Sequence, residues 1–435
     1  VSFWPSSCHR QLLPLKHACT LNPEALSEST DPDFEFEYVD IGNVTLEGGV
    51  TAREQMKFAN SPSRARKPVQ SGDVIISTVR TYLKAVASIG PEAHNWIVST
   101  GFAVLRPNSQ ILPGFLYRAV QSNPFVESVV AASTGVSYPA INPSALGSIL
   151  IPIPDLPTQK SIADFLNRET ARIDQLIQKK QGQLALFPEK EKAEISRLVL
   201  RGTDANIDTF PSGIVWRGAV PSHWTESRLK AHFKMRKRQG FEDRTVLSVY
   251  REFGVIEKSS RDDNINKTPE DLSKYQLVEP GDLVINKMKA WQGSLGVSTF
   301  TGITSPDYVV MVPIGEHDAG YMHHLLRARP MPTAYHLISN GIRIDQWRME
   351  PEKFLSLPVF LPPLHEQRQI ATSVNRVLKN LRDVSEAVSR SIDRLRELRS
   401  ALITAAVTGQ INVATWDKQG LTDRRLDKIE ETLRA

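Results

Sequence analysis

From residue 370 onward, apolar side chains return every three or four positions: Ile370, Val374, Val377, Leu381, Val384 and Val388, then after a small slip Ile392, Leu395, Leu398 and Leu402. That spacing keeps one narrow stripe on one side of a helix, the seam of a coiled coil. At about 1.5 Å per residue it predicts a rod on the order of 50 Å. Gly409 stands just beyond it as a C-cap. A less regular seam runs through Ile162, Leu166, Ile173, Leu176, Ile177 and Leu184, is interrupted by Pro188, and resumes at Ala193, Ile195 and Leu198. An interior proline removes a hydrogen bond and costs about 3 kcal/mol, so a kink or break is expected near Leu186 to Pro188. Elsewhere the pattern shortens to β-branched runs bounded by Gly, Pro and Asn. YVDIGNV, GDVIISTV and GFAVLRP come before the first seam; TVLSVY, GDLVINKM and DYVVMVP come before the second.

These blocks repeat. Residues 153–163 read IPDLPTQKSIA and residues 361–371 read LPPLHEQRQIA, so that Leu156, Gln159, Ile162 and Ala163 match Leu364, Gln367, Ile370 and Ala371. SGDVIIS (71–77) pairs with PGDLVIN (280–286), PLKHAC (14–19) with RLKAHF (228–233), and LVLRGT (198–203) with AAVTGQ (405–410). The order is preserved, so the unit is a half-chain of roughly 200 residues, too long for a solenoid repeat. Each half reads as a mixed α/β region followed by a long helix. Parallel packing of the two helices would force residues 203–220 to travel back about 50 Å, close to the limit at about 3.3 Å each. Antiparallel packing needs no return and is expected, with the two α/β regions at opposite ends of the rod. The expected fold class is α+β: two α/β domains with small mixed sheets, joined by two long antiparallel coiled-coil helices, in a pseudo-two-fold internal repeat.

The 435 residues are 40% apolar, enough for two to four cored domains. No apolar run approaches the roughly 20 residues of a membrane span, and the N-terminus lacks the order of a secretory signal, so a cytoplasmic location is expected. Cys8 and Cys19 are too few for a disulfide framework and lack a CxxC partner for zinc, so they are read as ordinary thiols. The net charge of +5 suits a nucleic-acid partner but decides little until its distribution is considered.

That distribution is clustered. The first region carries Arg64, Arg66 and Lys67 in SPSRARKPV, then Arg80, Tyr82 and Lys84 in TVRTYLK, with Tyr138 further on. The second carries Arg236, Lys237 and Arg238 in FKMRKRQ, Lys287, Lys289, Trp291 and Gln292 in NKMKAWQG, and Arg343 and Arg348 in GIRIDQWRM. Lys and Arg can pair with phosphates, while Arg and Gln can satisfy base edges in the major groove, so these residues are the candidate DNA-binding set. A run such as RKRQ can equally be a solvated face, and Trp291 can be a core aromatic. No GxxxxGK[ST], HExxH or GxSxG is present. SPDY (305–308) has a passing likeness to an amino-methyltransferase loop but lacks its second proline, and is read as a turn leading into a strand. No catalytic residue and no metal site is assigned.

Taken together, LPPLHEQRQIA and its partner IPDLPTQKSIADFL, ARIDQLIQKKQ, LRSALITAAVTGQI and the linker SGIVWRGAVPSHWTESRLK make the chain resemble the DNA specificity subunits of type I restriction-modification systems. The resemblance covers nearly the whole chain. It implies a first target-recognition domain at 1–155, a central conserved helix at 156–202, a linker at 203–225, a second target-recognition domain at 226–358, a C-terminal conserved helix at 359–412 and a tail at 413–435. It implies a non-catalytic subunit that recognises a bipartite sequence in double-stranded DNA and directs partner modification (methyltransferase) subunits, two per chain, and restriction/translocase subunits to it. No cofactor is expected on this chain; S-adenosylmethionine, ATP and Mg are expected on the partners, and no membrane is involved. Pro188 and the Pro157-Thr158 pair depart from the family pattern and put the straightness of the first helix in question. The competing reading is a structural adaptor with two protein-binding heads.

Overall fold

The computed structural model describes residues 3–4, 11–45, 49–135, 139–261, 268–341 and 347–431, excepting the side chains of Tyr82, Asp417 and Lys418. The chain forms two compact units. Unit 1 comprises Val1–Leu184 with Ala387–Ala435, and unit 2 comprises Ala185–Glu386. Two long helices, Leu156–Arg201 and Leu364–Thr408, contribute residues to both.

Each unit is built around the same four-stranded antiparallel sheet. In unit 1 the spatial order is Cys19–Leu21, Phe102–Pro107, Val74–Ser77, Val86–Ser88; in unit 2 it is Phe233–Met235, Tyr308–Pro313, Leu283–Asn286, Leu295–Val297. The repeated Gly-Asp dipeptide opens the equivalent strand in both. Its β-branched run is buried on both faces, VIIS completely and LVIN in its first three residues, which explains why these strands read as continuous apolar segments rather than alternating ones. Asp73 and Asp282 are themselves buried and hold the turn before the strand by accepting from the Gln70 and Glu279 amides at 3.0 and 2.9 Å. Each is matched by an arginine, Arg106 for Asp73 and Arg236 for Asp282. Unit 1 adds a second sheet, ordered Glu54–Lys57, Glu35–Val39, Trp96–Ser99, Ala65–Pro68; unit 2 has in addition a hairpin of Leu247–Tyr250 with Gly254–Glu257.

The long helices run in opposite directions. In unit 1 Arg399 of the second helix donates to Asp174 of the first at 2.8 Å. In unit 2 Leu198 and Val199, near the end of the first helix, share a core with Ile370 and Val374, near the start of the second. Most seam positions are buried, among them Ile162, Leu166, Ile173, Ile177, Val388, Ile392, Leu395 and Leu402. Val384 is an exception at 48% exposure. The expected break at Pro188 is corrected: one helix runs unbroken from Leu156 to Arg201 with Pro188 inside it. Leu186 and Pro188 are exposed, so water can solvate the carbonyl that loses its donor, and the helical packing on either side keeps the chain in register. Gly202 and Gly409, both at φ 79°, close the two helices in the left-handed conformation.

The motif repeat now has a mechanical reason. Gln159 and Gln367 are buried clamps. Gln159 accepts from the Leu112 amide at 2.8 Å and donates to the carbonyls of Gln110 and Pro154; Gln367 accepts from the Asp318 amide at 2.9 Å and donates to Pro362. Each ties the first turn of a long helix to the loop after the sheet. Removing the amide would strand these backbone groups, so Gln159→Ala is expected to cost about 2–3 kcal/mol by urea denaturation, with Gln367→Ala close behind. A loss below about 0.5 kcal/mol would show that water replaces the clamp. In unit 2 the preceding Glu366 accepts from Trp224 Nε1 at 3.1 Å and pairs with His223 at 2.6 Å, which anchors the linker motif PSHW to LPPLHEQ.

The tail is helical. Helices Val413–Lys418 and Leu421–Glu431 belong to unit 1, where Asp423 pairs with Arg172 and Glu430 with Lys180, while Leu426 is buried. Cys19 is buried, which pushes its thiol up to about 12 and leaves it inert; Cys8 lies outside the described residues.

Unit 2 also holds four half-buried histidines. Burial, reinforced by the Arg327 charge, holds His323 down to about 3 and His324 down to about 4, and burial lowers His232 and His317 as well. In the unfolded chain these imidazoles take up protons near pH 6.5. Between that pH and the depressed folded values the unfolded state binds more protons, so stability must fall as pH falls. The urea midpoint of unit 2 is therefore expected to drop from pH 7 to pH 5; a flat midpoint would contradict neutral burial of these rings.

Candidate nucleic-acid interface

In unit 2 the strands Phe233–Met235 and Tyr308–Pro313 pair side by side, and the segment 348–351 is brought alongside through the Met349 amide, which donates to the Lys287 carbonyl at 3.0 Å. The result is an open groove of about 820 Å³. Its lining includes the apolar Met235, Val309, Val310 and Met349 and the ring of Tyr308, together with Arg236, Lys237, Lys287, Arg348, Gln276 and Asn340. Four of the candidate cations, from three stretches spread over more than a hundred positions, thus meet in one place.

The four are not equivalent. Arg236 is bonded to Glu279 at 3.0 Å and to Asp282 at 3.2 Å, and Arg238, behind it, pairs with the same Glu279, so both are structural ion-pair partners of the Gly-Asp turn. The side chains of Lys237, Lys287 and Arg348 make no hydrogen bond or ion pair among the described residues. Lys287 has its ammonium lowered, first by burial and next by the neighbouring Arg348 charge, with Lys237 acting in the same sense and Asp307 opposing. Like charges crowded beside one another are an electrostatic condition that an anion such as a phosphate chain relieves.

The other candidates divide similarly. Lys289 is exposed on the turn after Asn286. Gln292 is half-buried on the same turn, and Trp291 packs edge-on against Trp347 with centroids 5.8 Å apart. In unit 1, Arg64 is tied to Asp40 at 2.9 Å and to Tyr38 at 3.1 Å. Arg66 donates to the Ala65 carbonyl and stacks over Phe58, and Lys67 donates to the carbonyls of Thr100 and Phe102. Arg80 and Lys84 are exposed and flank the helical turn Thr81–Leu83, which holds the Tyr82 backbone. Tyr138 and Arg343 lie outside the described residues.

Sequence reasoning did not single out Gln276, Asn340 or Tyr308 for this groove. Tyr308 opens a strand directly after the turn closed by its amide on Ser305, so SPDY is a turn into a strand, and Gln276 is fixed by donating to the Tyr308 carbonyl at 2.9 Å. Nothing local marks any of the three, because their shared location arises from strand pairing.

A family model, the type I restriction modification DNA specificity domain, matches residues 54–185. The specificity subunit of type I restriction enzyme EcoKI from Escherichia coli (strain K12) is 23% identical over 337 residues, covering 72% of this chain and 68% of its own length. That of HindI from Haemophilus influenzae is 32% identical over 108 residues, 24% of each chain. Among solved structures, a chain from work on complex assembly and conformational transition of the type I R-M system aligns with a TM-score of 0.63 at 24% identity, over 94% of this chain and 99% of that one. The HsdS subunit from Thermoanaerobacter tengcongensis aligns with a TM-score of 0.51, also at 24% identity, over 94% of this chain and 98% of its own. The family model, the relatives and the shared fold agree with the duplicated sheets, the clamped helices and the motifs that join them: residues 54–185 match the type I restriction modification DNA specificity domain, and the chain is similar in sequence and fold to HsdS-type specificity subunits.

Proposed function

We propose that the chain recognises a bipartite sequence in double-stranded DNA and directs partner methyltransferase and restriction subunits to it, contributing no catalytic group itself. The observation that carries this reading is the unit 2 groove, whose lining brings together Lys237, Lys287 and Arg348, with side chains that make no hydrogen bond or ion pair among the described residues. The lysines neutralise phosphates, which supplies affinity without sequence preference through counterion release. Arg348, with its planar pair of donors, reads a base edge, and discrimination of about 1–3 kcal/mol at one base pair is expected from such a contact. Two units built on one plan but with different side chains give two unlike half-sites. S-adenosylmethionine, ATP and Mg then act on the partner chains, and two modification subunits dock on the paired helices. Binding of the full chain to random duplex, measured against salt, tests the first step: a linear fall of log K with log salt supports DNA binding, and binding that ignores salt overturns it.

A further inference from the structure

The constant register between the two sheets allows one turn to be compared with itself. Val74–Ser77 corresponds to Leu283–Asn286, and the helical turns that follow, Thr81–Leu83 and Ala290–Gln292, occupy the same place. Their hydrogen bonds agree as well: Leu83 and Gln292 donate to the carbonyls of Arg80 and Lys289, and the residue ending each turn donates to Thr81 or Ala290. That last residue is left-handed in both. In unit 2 it is Gly293 at φ 87°, which adopts the conformation freely; in unit 1 it is Lys84, at φ 53° and ψ 36°.

Folding gives no reason for a lysine there. The Lys84 side chain is exposed and makes no hydrogen bond or ion pair among the described residues. Arg80, at φ 49°, is different, because its amide donates to the Pro139 carbonyl at 2.8 Å and that pairing fixes its backbone. An unfavourable backbone conformation kept where the duplicate uses glycine points to a side chain needed for something outside the fold. Beside Lys84 stand the exposed Arg80 and Leu83, the latter 51% exposed, so the turn presents the Lys84 ammonium next to an uncovered apolar tip. A phosphate for the ammonium and a thymine methyl group for the apolar tip match that arrangement.

We infer that the turn Arg80–Lys84 is the DNA-contacting tip of unit 1, and that Lys84 occupies a glycine position to place an ammonium on a DNA phosphate. This rests on the DNA-binding reading above. The test compares the full chain with Lys84→Gly, Lys84→Ala and Lys84→Arg for thermal stability and for binding to random duplex across a salt series. Lys84→Gly is expected to melt at or above the wild-type temperature, because it relieves the backbone, and yet to bind DNA several-fold more weakly with a log-log salt slope shallower by about one unit. Lys84→Ala, which keeps the strain and loses the charge, should show the same change in slope, and Lys84→Arg should keep the wild-type slope. A lower melting temperature for Lys84→Gly, or an unaltered slope in the glycine and alanine variants, would overturn the inference. Wild-type chain that fails to bind duplex at all would instead overturn the reading on which it rests.

Discussion

Replacing Lys237, Lys287 and Arg348 together with alanine is expected to weaken binding to the recognised sequence by at least about a hundredfold while leaving the fold intact. The two lysines account for a salt slope shallower by about two units, felt equally by every duplex. The arginine accounts for a further loss of about 1–3 kcal/mol confined to one base position. Since none of the three side chains is bonded among the described residues, stability should change by less than about 0.5 kcal/mol. The neighbouring arginines behave in the opposite way: Arg236 offsets the buried Asp282, so its removal destabilises unit 2 before any DNA is added. A filter-binding or anisotropy titration in which the triple variant binds like the wild type would remove the groove from the interface.

Tyr321→Ala should be the most damaging single change in unit 2. The ring is completely buried among the residues that join the sheet to both long helices, packs edge-on against Trp224, and donates its hydroxyl to the Val199 carbonyl at 3.0 Å. Loss of an aromatic ring from such a core costs about 3–5 kcal/mol. Tyr321→Phe keeps the ring and strands one buried carbonyl, which costs about 1–2 kcal/mol. Urea denaturation of both variants separates packing from hydrogen bonding; equal losses would mean that the hydroxyl alone holds the contact.

The parts of the fold legible in the sequence are those written in local periodicity or in repetition. The two seams gave the long helices because Ile370, Val374 and their successors must lie on one stripe to be buried. The repeat marked Gln159 and Gln367 as equivalent before their buried bonds gave the reason, and the Gly-Asp dipeptides marked the equivalent strands. What remained hidden depends on contacts between distant segments. A basic run such as RKRQ looks uniform, yet Arg236 and Arg238 are committed to Glu279, some forty positions away, and Lys237 between them is not. Gln276 and Asn340 reach the groove only because strands pair across it. The helix does not break at Pro188, because propensity alone leaves out the packing on either side of an exposed turn. The tail carried too short an apolar pattern to announce its helices, which are fixed by Leu426 and by ion pairs to the first long helix.

Methylome sequencing of cells that express this chain with its modification partners tests the central claim most directly, since it returns both half-sites and the distance between them. The account predicts two short, unlike specified blocks separated by an unspecified gap of fixed length. A methylated target that forms one continuous block, or one that is unaltered when unit 2 is exchanged for that of a relative, would contradict it.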